Sequence, residues 1–446
     1  MNKRNSDILF YQSRKALPFI KKSRGIFIWD HQVREYIDGS SVAMICNIGH
    51  GEPRILEAIN AQAAQTFFAY RTQFENEPAI RLATALTDNS RSEIDRVFYV
   101  SGGSEAVESA MKLCRQHLVS IGQGSKHLFI SRKPSYHGST MGALSMTSYA
   151  PLEIPFRPMF KAYPKIPAPT CYRCAYSLIY PDCGLACAKA LETTILEQGP
   201  DSVAGFVVEP VGGASTGALV PPEGYFDIVQ DICRRHQVML ILDEVMTGYG
   251  RTGRLFGYEH WEVRPDIIAL SKGMGAGYFP LGAVLTRQDI VDPVLKSGGF
   301  AHGFTSAGNP MACAVGLEIL NITLERDLPG NAAARGAELL QGLHDLAARH
   351  PIIGQVRGKG LLTAIELVQD RDSKAPFPPA QGANTLLTDH AFDLGLIIYP
   401  RRPINGLRGD YVYIAPLLIV NSQEIGTILD RLDRALGTPE SKLGLC

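Results

Sequence analysis

The 446-residue sequence carries no excess of either charge: Lys plus Arg and Asp plus Glu each number 44. Without a basic surplus it lacks the electrostatic footprint of a nucleic-acid binder, so any phosphate recognition falls to a local site. Little net repulsion keeps subunits apart, which is compatible with a homo-oligomer. Long apolar runs are also missing. Nowhere do ~18 apolar residues follow one another, and the N-terminus leads into no secretory hydrophobic region. No membrane association is expected, and a cytoplasmic location is. The nine cysteines are an odd number spread over a long chain, which speaks for reduced thiols rather than a disulfide frame. There is no internal repeat or low-complexity tract. The absence of a Walker loop and of a GxGxxG fingerprint argues against ATP or a dinucleotide.

What is present is the composition of a folded protein, 45% hydrophobic and 20% charged, long enough for two or three structural units. Between about 95 and 285, short apolar or β-branched runs alternate with helical stretches. Strands are expected at Arg96–Val100, His127–Ser131, Ala204–Glu209, Val238–Asp243 and Asp266–Ser271. Several are apolar throughout, as in parallel strands covered on both faces. Helices are expected at Glu105–Leu118 and Tyr225–His236. This is the rhythm of an α/β domain with a mostly parallel sheet flanked by helices. After residue 310 the rhythm changes. A long amphipathic helix carries Leu339, Leu340, Leu343 and Leu346, a strand follows near Gly358–Val368, and a terminal helix starts after Ser422. The expected division is a lead-in over 1–50 belonging to the small domain, a large domain over 51–310, and a small α+β domain over 311–446.

Three segments carry candidate chemistry. The run Val238–Leu242 ends in Asp243-Glu244, and a carboxylate at the carboxyl end of a buried strand faces the crevice where α/β sheets bind ligands. Buried and ionised, it calls for a cationic partner; a pyridinium nitrogen would be one. The next strand ends in Ser271-Lys272-Gly273. A desolvated lysine there would have the depressed pKa that imine chemistry requires. The third segment, Ser101-Gly102-Gly103-Ser104-Glu105, lies between a strand and a helix, where free amides and the helix dipole make an anion site. Each has an ordinary reading too: Asp243 as a cap, Lys272 as a lysine reaching solvent, Ser104 in a capping box.

Taken together the segments resemble a known family. Leu242-Asp243-Glu244-Val245-Met246-Thr247-Gly248-Tyr249-Gly250-Arg251-Thr252-Gly253 is similar to the signature of the class III aminotransferases, which have the pyridoxal 5′-phosphate (PLP) fold-type-I architecture. Ser271-Lys272-Gly273 with Pro280-Leu281-Gly282-Ala283-Val284, Trp29-Asp30 with Tyr36–Gly39, and Asn47–Pro53 resemble the same family in the same order. The resemblance runs from about residue 25 to 435. It implies that Lys272 carries PLP as a Schiff base and shuttles the proton, and that Asp243 partners the pyridine nitrogen. It implies that Gly103 and Ser104 bind the phosphate, and that Tyr136 and Val245 cover the two ring faces. Thr305 is implied to reach the phosphate of a neighbouring subunit, in a homodimer with composite sites. His137 is either a support beneath the cofactor or a packing residue.

Some positions depart from the pattern. Glu209 resembles a glutamate that pairs with a switchable, carboxylate-binding arginine, but Tyr413 stands at that arginine's place and cannot clamp a carboxylate in a bidentate way. Met246 replaces a glutamine that touches the cofactor's 3-oxygen. Both departures point to the amine:pyruvate, or omega-transaminase, side of the family. The segment Tyr399–Asp410 offers Arg401, Arg402 and Arg408; Arg408, then Arg402, is expected to hold the acceptor carboxylate. Phe68, Tyr70 and Tyr413 suggest a partly apolar amine pocket. Cys171, Cys174, Cys183 and Cys187 have C-x2-C and C-x3-C spacing within an irregular Pro/Cys-rich stretch, compatible with zinc, yet packing cysteines and no metal are expected.

The function these features imply is ping-pong transfer of an amino group from an amine or amino acid to an α-keto acid such as pyruvate or 2-oxoglutarate. Racemisation, epimerisation or decarboxylating transamination could use the same apparatus, and a non-catalytic PLP-binding protein is a remote alternative. The amino donor is not legible.

Overall fold

The computed structural model describes residues 17–91, 93–401 and 409–445. Near the N-terminus lie β1 (Ile20–Arg24), β2 (Phe27–Asp30) and β3 (Glu35–Asp38). A large sheet then takes β4 (Arg96–Val100), β5 (Leu128–Lys133), β6 (Lys165–Pro167), β7 (Val203–Val208), β8 (Met239–Asp243), β9 (Ile267–Leu270) and β10 (Gly282–Thr286). The C-terminal part adds β11 (Ile353–Lys359), β12 (Leu362–Leu367), β13 (Leu396–Ile397), β14 (Tyr399–Arg401) and β15 (Asp410–Ile414).

The large sheet has the order β4-β10-β9-β8-β7-β5-β6. Its strands run parallel except for β10, which is antiparallel to both β4 and β9. Strands β7, β8 and β9 are buried at every position. Successive side chains alternate between two apolar layers. Phe206, Leu240, Leu242 and Ile268 join one core, and Val207, Met239, Ile241 and Ile267 the other. That period-two alternation with apolar residues on both faces explains the continuous apolar runs. The helix Gly103–Ser120 covers the second layer through Ala106, Ala110, Met111 and Cys114. The helices Ala186–Gln198 and Tyr225–Arg235 cover the first.

Two expectations change. The strand expected across Gly358–Val368 is a hairpin, β11 and β12 joined through Gly360. Gly360 has φ +57, and a Cβ there would lie 2.3 Å from the Thr252 carbonyl carbon; only glycine suits so tight a turn. The apolar pattern alone carried no sign of that break. Strand β10 was not expected at all, because its five residues follow the Gly-rich turn with no helix between to announce them. The expected boundary at residue 310 falls on the start of an unbroken helix, Pro310–Glu325, capped by Asn309, whose side chain accepts from the Ala312 amide.

Segments from the two halves of the sequence meet in a second sheet. Strand β3 pairs in parallel with β13, Ile37 opposite Leu396, to make the sheet β1-β2-β3-β13. A third sheet has the order β11-β12-β15-β14. Arg251, fully buried, donates from Nη1 to the carbonyls of Leu361 and Pro416 and from Nη2 to Ser41 Oγ and Asn47 Oδ1. It fastens the 41–47 segment and the Leu361 and Pro416 carbonyls to the loop that follows Asp243. Among the described residues no helix is long and apolar enough to cross a membrane.

Candidate active site

The carboxyl ends of β8 and β9 open into a cavity of ≈ 200 Å³, with Asp243, Val245, Met246 and Lys272 in its wall. The loops after β4, β5 and β7 bring Gly103, Ser104, Tyr136, His137 and Glu209 to the same wall. Parallel strands all deliver their carboxyl ends to one edge, so residues far apart in sequence converge there.

Lys272 follows β9 directly and sits with φ +42, in the left-handed region that a side chain normally avoids, at a cost of about 1–3 kcal/mol. Burial pushes its ammonium down to about 8, with Asp243 opposing and Arg401 and Arg251 adding to the fall. The neighbouring Ser271 hydroxyl is tied to the Leu281 carbonyl at 2.9 Å, which fixes the turn that presents the lysine.

Asp243 ends β8, nearly buried. Its Oδ2 lies 2.8 Å from His137 Nδ1, and its Oδ1 accepts from the Val245 amide at 3.1 Å. His137 is held in turn through its backbone amide by Thr147 Oγ1 at 2.9 Å, while its buried Nε2 has no partner.

At the start of the helix Gly103–Ser120, a Cβ on Gly103 would stand 2.7 Å from Val245 Cγ1, so the backbone is bare where it meets the cavity. Ser104 Oγ accepts from the Ser139 amide at 2.9 Å, linking the anion-site turn to the loop that carries Tyr136. The Tyr136 hydroxyl lies 3.0 Å from Ser139 Oγ.

Glu209 is buried, and its Oε1 accepts from the Gly213 amide at 2.8 Å. Beneath it Arg132, also buried, donates to the Glu209 carbonyl at 2.6 Å and approaches Oε2 at 3.6 Å. Burial raises the carboxyl's pKa, and the His137 and Arg132 charges oppose that rise. The sequence held no signal for Arg132, a residue near the end of an ordinary strand.

Tyr413 does not line the cavity. It is fully buried, donating to the Gly213 carbonyl at 2.5 Å and accepting from the Ala218 amide at 3.1 Å. The substrate contact expected of it is therefore corrected: its hydroxyl is spent on fixing the 213–218 loop. Tyr70 is likewise outside the lining, partly exposed and stacked on Phe68 at 6.5 Å. Thr305 is exposed and also outside the lining. Arg402 and Arg408 lie outside the described residues.

The structure draws attention to Arg401 instead. It ends β14 with its guanidinium carbon 5.9 Å from the Tyr136 ring and 5.1 Å from the Tyr149 ring, and Nε donates to the Ala214 carbonyl at 3.1 Å. Ala214 and Tyr136 are both cavity residues. The sequence presented Arg401 only as one of three neighbouring arginines.

A lowered-pKa lysine, a buried carboxylate held by a histidine and bare amides at a helix start suit a planar, phosphorylated aldehyde with a cationic ring nitrogen. Comparison with known proteins agrees. The aminotransferase class-III family pattern matches residues 10–436. An uncharacterized aminotransferase of Bacillus subtilis is 39% identical over 96% of this chain and 97% of its own. The putrescine–pyruvate aminotransferase of Pseudomonas aeruginosa is 31% identical over 94% of this chain and 90% of its own. Among solved structures, a PLP-bound amine transaminase from an uncultivated Pseudomonas species superposes with a TM-score of 0.91, at 34% identity, over 96% of this chain and 98% of that one.

Proposed function

The chain belongs to the class-III aminotransferases, PLP-dependent enzymes, and from that premise we propose a ping-pong transamination whose proton carrier is Lys272 and whose acceptor is an α-keto acid held by Arg401. PLP, when bound, supplies an electron sink for the substrate α-carbon. Lys272 Nζ, with its ammonium lowered from 10.5 to about 8, has a proton affinity near enough to physiological pH to give up a proton and take it back. Asp243, held by His137, is the carboxylate that would partner the cationic ring nitrogen and favour its protonated form. The amides at Gly103 and Ser104 would hold the phosphate, and Tyr136 and Val245, in the same cavity wall, would cover the ring. Met246 and Glu209 both stand beside Gly213, Met246 an apolar neighbour at the position where the resemblance has a glutamine.

Glu209 already has the Arg132 charge beneath it, so it need not recruit a switchable arginine. Arg401 is held by one backbone carbonyl and three tyrosine faces, and among the described residues its terminal nitrogens make no hydrogen bond, which suits them to a carboxylate. The putrescine–pyruvate aminotransferase relative supports pyruvate as the acceptor to try first. The exposed Thr305 is assigned to a partner's phosphate in a homodimer, and the compartment to the cytoplasm.

The observation that carries this reading is the placement of Lys272 and Asp243 in one cavity wall. Borohydride reduction of the coloured protein, followed by peptide mapping, tests it. The cofactor is expected on the Lys272 peptide, with Lys272→Ala unlabelled. Label on another lysine would sink the assignment. Turnover that depends stoichiometrically on an amino acceptor separates transamination from racemisation.

A further inference from the structure

The loop between β7 and the helix Tyr225–Arg235 carries two cavity residues, Gly213 and Ala214, and then turns back on itself. Its ends are drawn together where the Gly212 amide donates to the Leu219 carbonyl at 2.7 Å. The turn inside it is strained. Gly217 has φ +70 and Ala218 φ +53, two consecutive left-handed residues, the second bearing a Cβ that disfavours that region. Backbone of this kind persists only where its surroundings over-determine it.

Those surroundings are one face of the sheet β11-β12-β15-β14. Tyr413 lies opposite Tyr399 and Ala364, and Tyr411 lies opposite Arg401 and Glu366. Residues directly opposite, and residues two apart on one strand, share a face. From it Tyr413 donates to the Gly213 carbonyl at 2.5 Å and accepts from the Ala218 amide at 3.1 Å. One hydroxyl thus ties the cavity end of the loop to its strained turn. Arg357, 4.9 Å from the Tyr411 ring and 3.0 Å from Glu366 Oε2, donates from Nε to the Gly217 carbonyl at 2.5 Å.

The same face carries Arg401, whose Nε donates to the carbonyl of Ala214, the residue next to Gly213. Its guanidinium carbon also lies 5.8 Å from the Tyr399 ring, which meets the Tyr413 ring edge-on at 6.4 Å. Tyr413 therefore reaches Arg401 by two routes, through the loop backbone and through Tyr399.

We propose that Tyr413 is a positioning residue for acceptor binding, its hydroxyl closing the 213–218 loop so that Arg401 meets the acceptor carboxylate from a fixed place. Tyr413 stands outside the cavity lining, so it acts on the acceptor through Arg401. An arginine held in place before binding needs little ordering when the carboxylate arrives. Loosening the loop removes that advantage from the acceptor and leaves a donor without a carboxylate untouched. The proposal rests on the reading of Arg401 as the acceptor's arginine.

A double-mutant cycle on the PLP-loaded enzyme tests it. Tyr413→Phe keeps the ring and its packing and removes only the hydroxyl. The KM for pyruvate is expected to rise about fivefold to tenfold. The rate of the half-reaction with an amine that bears no carboxylate should hold within about twofold. In the Arg401→Ala background the same substitution should move the pyruvate KM by less than about twofold. Gly217→Ala disturbs the loop from its other end, with a Cβ 2.7 Å from Arg357 Nη2 and 2.9 Å from the Tyr411 ring, and should reproduce the split between acceptor and donor. Equal rises in both backgrounds overturn the proposal, as does an amine half-reaction slowed as much as the one with pyruvate. An unmoved KM in Tyr413→Phe beside a raised one in Arg401→Ala also overturns it and leaves the assignment of Arg401 standing. If Arg401→Ala itself leaves the KM unmoved, that assignment fails and the proposal falls with it.

Discussion

His137 Nδ1 lies 2.8 Å from Asp243 Oδ2, with both side chains buried against the strand ends of the large sheet. The contact joins residues 106 apart in sequence, and it turns a costly buried carboxylate into an oriented one. The Val245 amide on Oδ1 fixes the second oxygen, so the carboxylate has little freedom to rotate.

Removing the histidine should therefore injure the site without dismantling it. His137→Ala leaves Asp243 one partner short, a loss of about 1–3 kcal/mol. The rate of the amine half-reaction is expected to fall roughly tenfold to a hundredfold, with the absorbance titration of the bound cofactor displaced. His137→Asn, which can still donate to Asp243, should recover part of both. An unchanged titration curve would show that His137 serves packing alone.

Arg401→Ala should raise the KM for pyruvate by roughly tenfold or more, the value of a charge-assisted pair. The KM of an uncharged amine donor should stay within about twofold, since the mutation removes no contact that a neutral group requires. Arg401→Lys keeps the charge but loses the planar fork, so its KM should fall between the two. Steady-state kinetics with donor and acceptor varied separately checks all three.

Gly103→Ala places a methyl 2.7 Å from Val245 Cγ1, so the start of the helix or the valine must shift. The expected result is PLP affinity lowered by roughly tenfold, because overpacking costs about 1–3 kcal/mol, with folding retained. Val245→Ala in the same chain should restore much of the affinity. Titration of cofactor-free protein with PLP, followed by absorbance, makes the comparison.

Lys272 gives a pH-dependent stability with a definite sign. Its pKa is lowered on folding from 10.5 to about 8, so between those values the unfolded chain binds more protons than the folded one. Stability then rises with pH through that window, and the penalty for burying the ammonium is fully present below about 8. Lys272→Met should accordingly raise the Tm of cofactor-free protein at pH 7 and give a smaller gain near pH 10. Calorimetry at the two values tests it; an equal gain at both would remove burial of charge as the cause.

The strand ends were legible in the sequence because they depend on local pattern and chain direction. Apolar runs closing in Asp243 and before Lys272 require parallel strands, and parallel strands bring their carboxyl ends to one edge. The observed strands begin and end within a few residues of expectation, β4 at the same bounds. The glycines and hydroxyl before the first long helix were equally readable, since a helix start is a local event.

What the sequence could not decide were contacts made across the fold. Whether Tyr413 faced a substrate or a backbone carbonyl depended on how β15 packs against the loop at Gly213. Which arginine approached Tyr136 depended on where β14 ends. The charge under Glu209 came from Arg132, 77 residues away. Strand periodicity sets the face a side chain takes, so the sequence by itself determined β4, β5, β7, β8 and β9 of the large sheet and the edge bearing Asp243 and Lys272. The partners of those side chains are set by long-range packing, for which a single sequence has no periodic signal, and only the tertiary structure decided them.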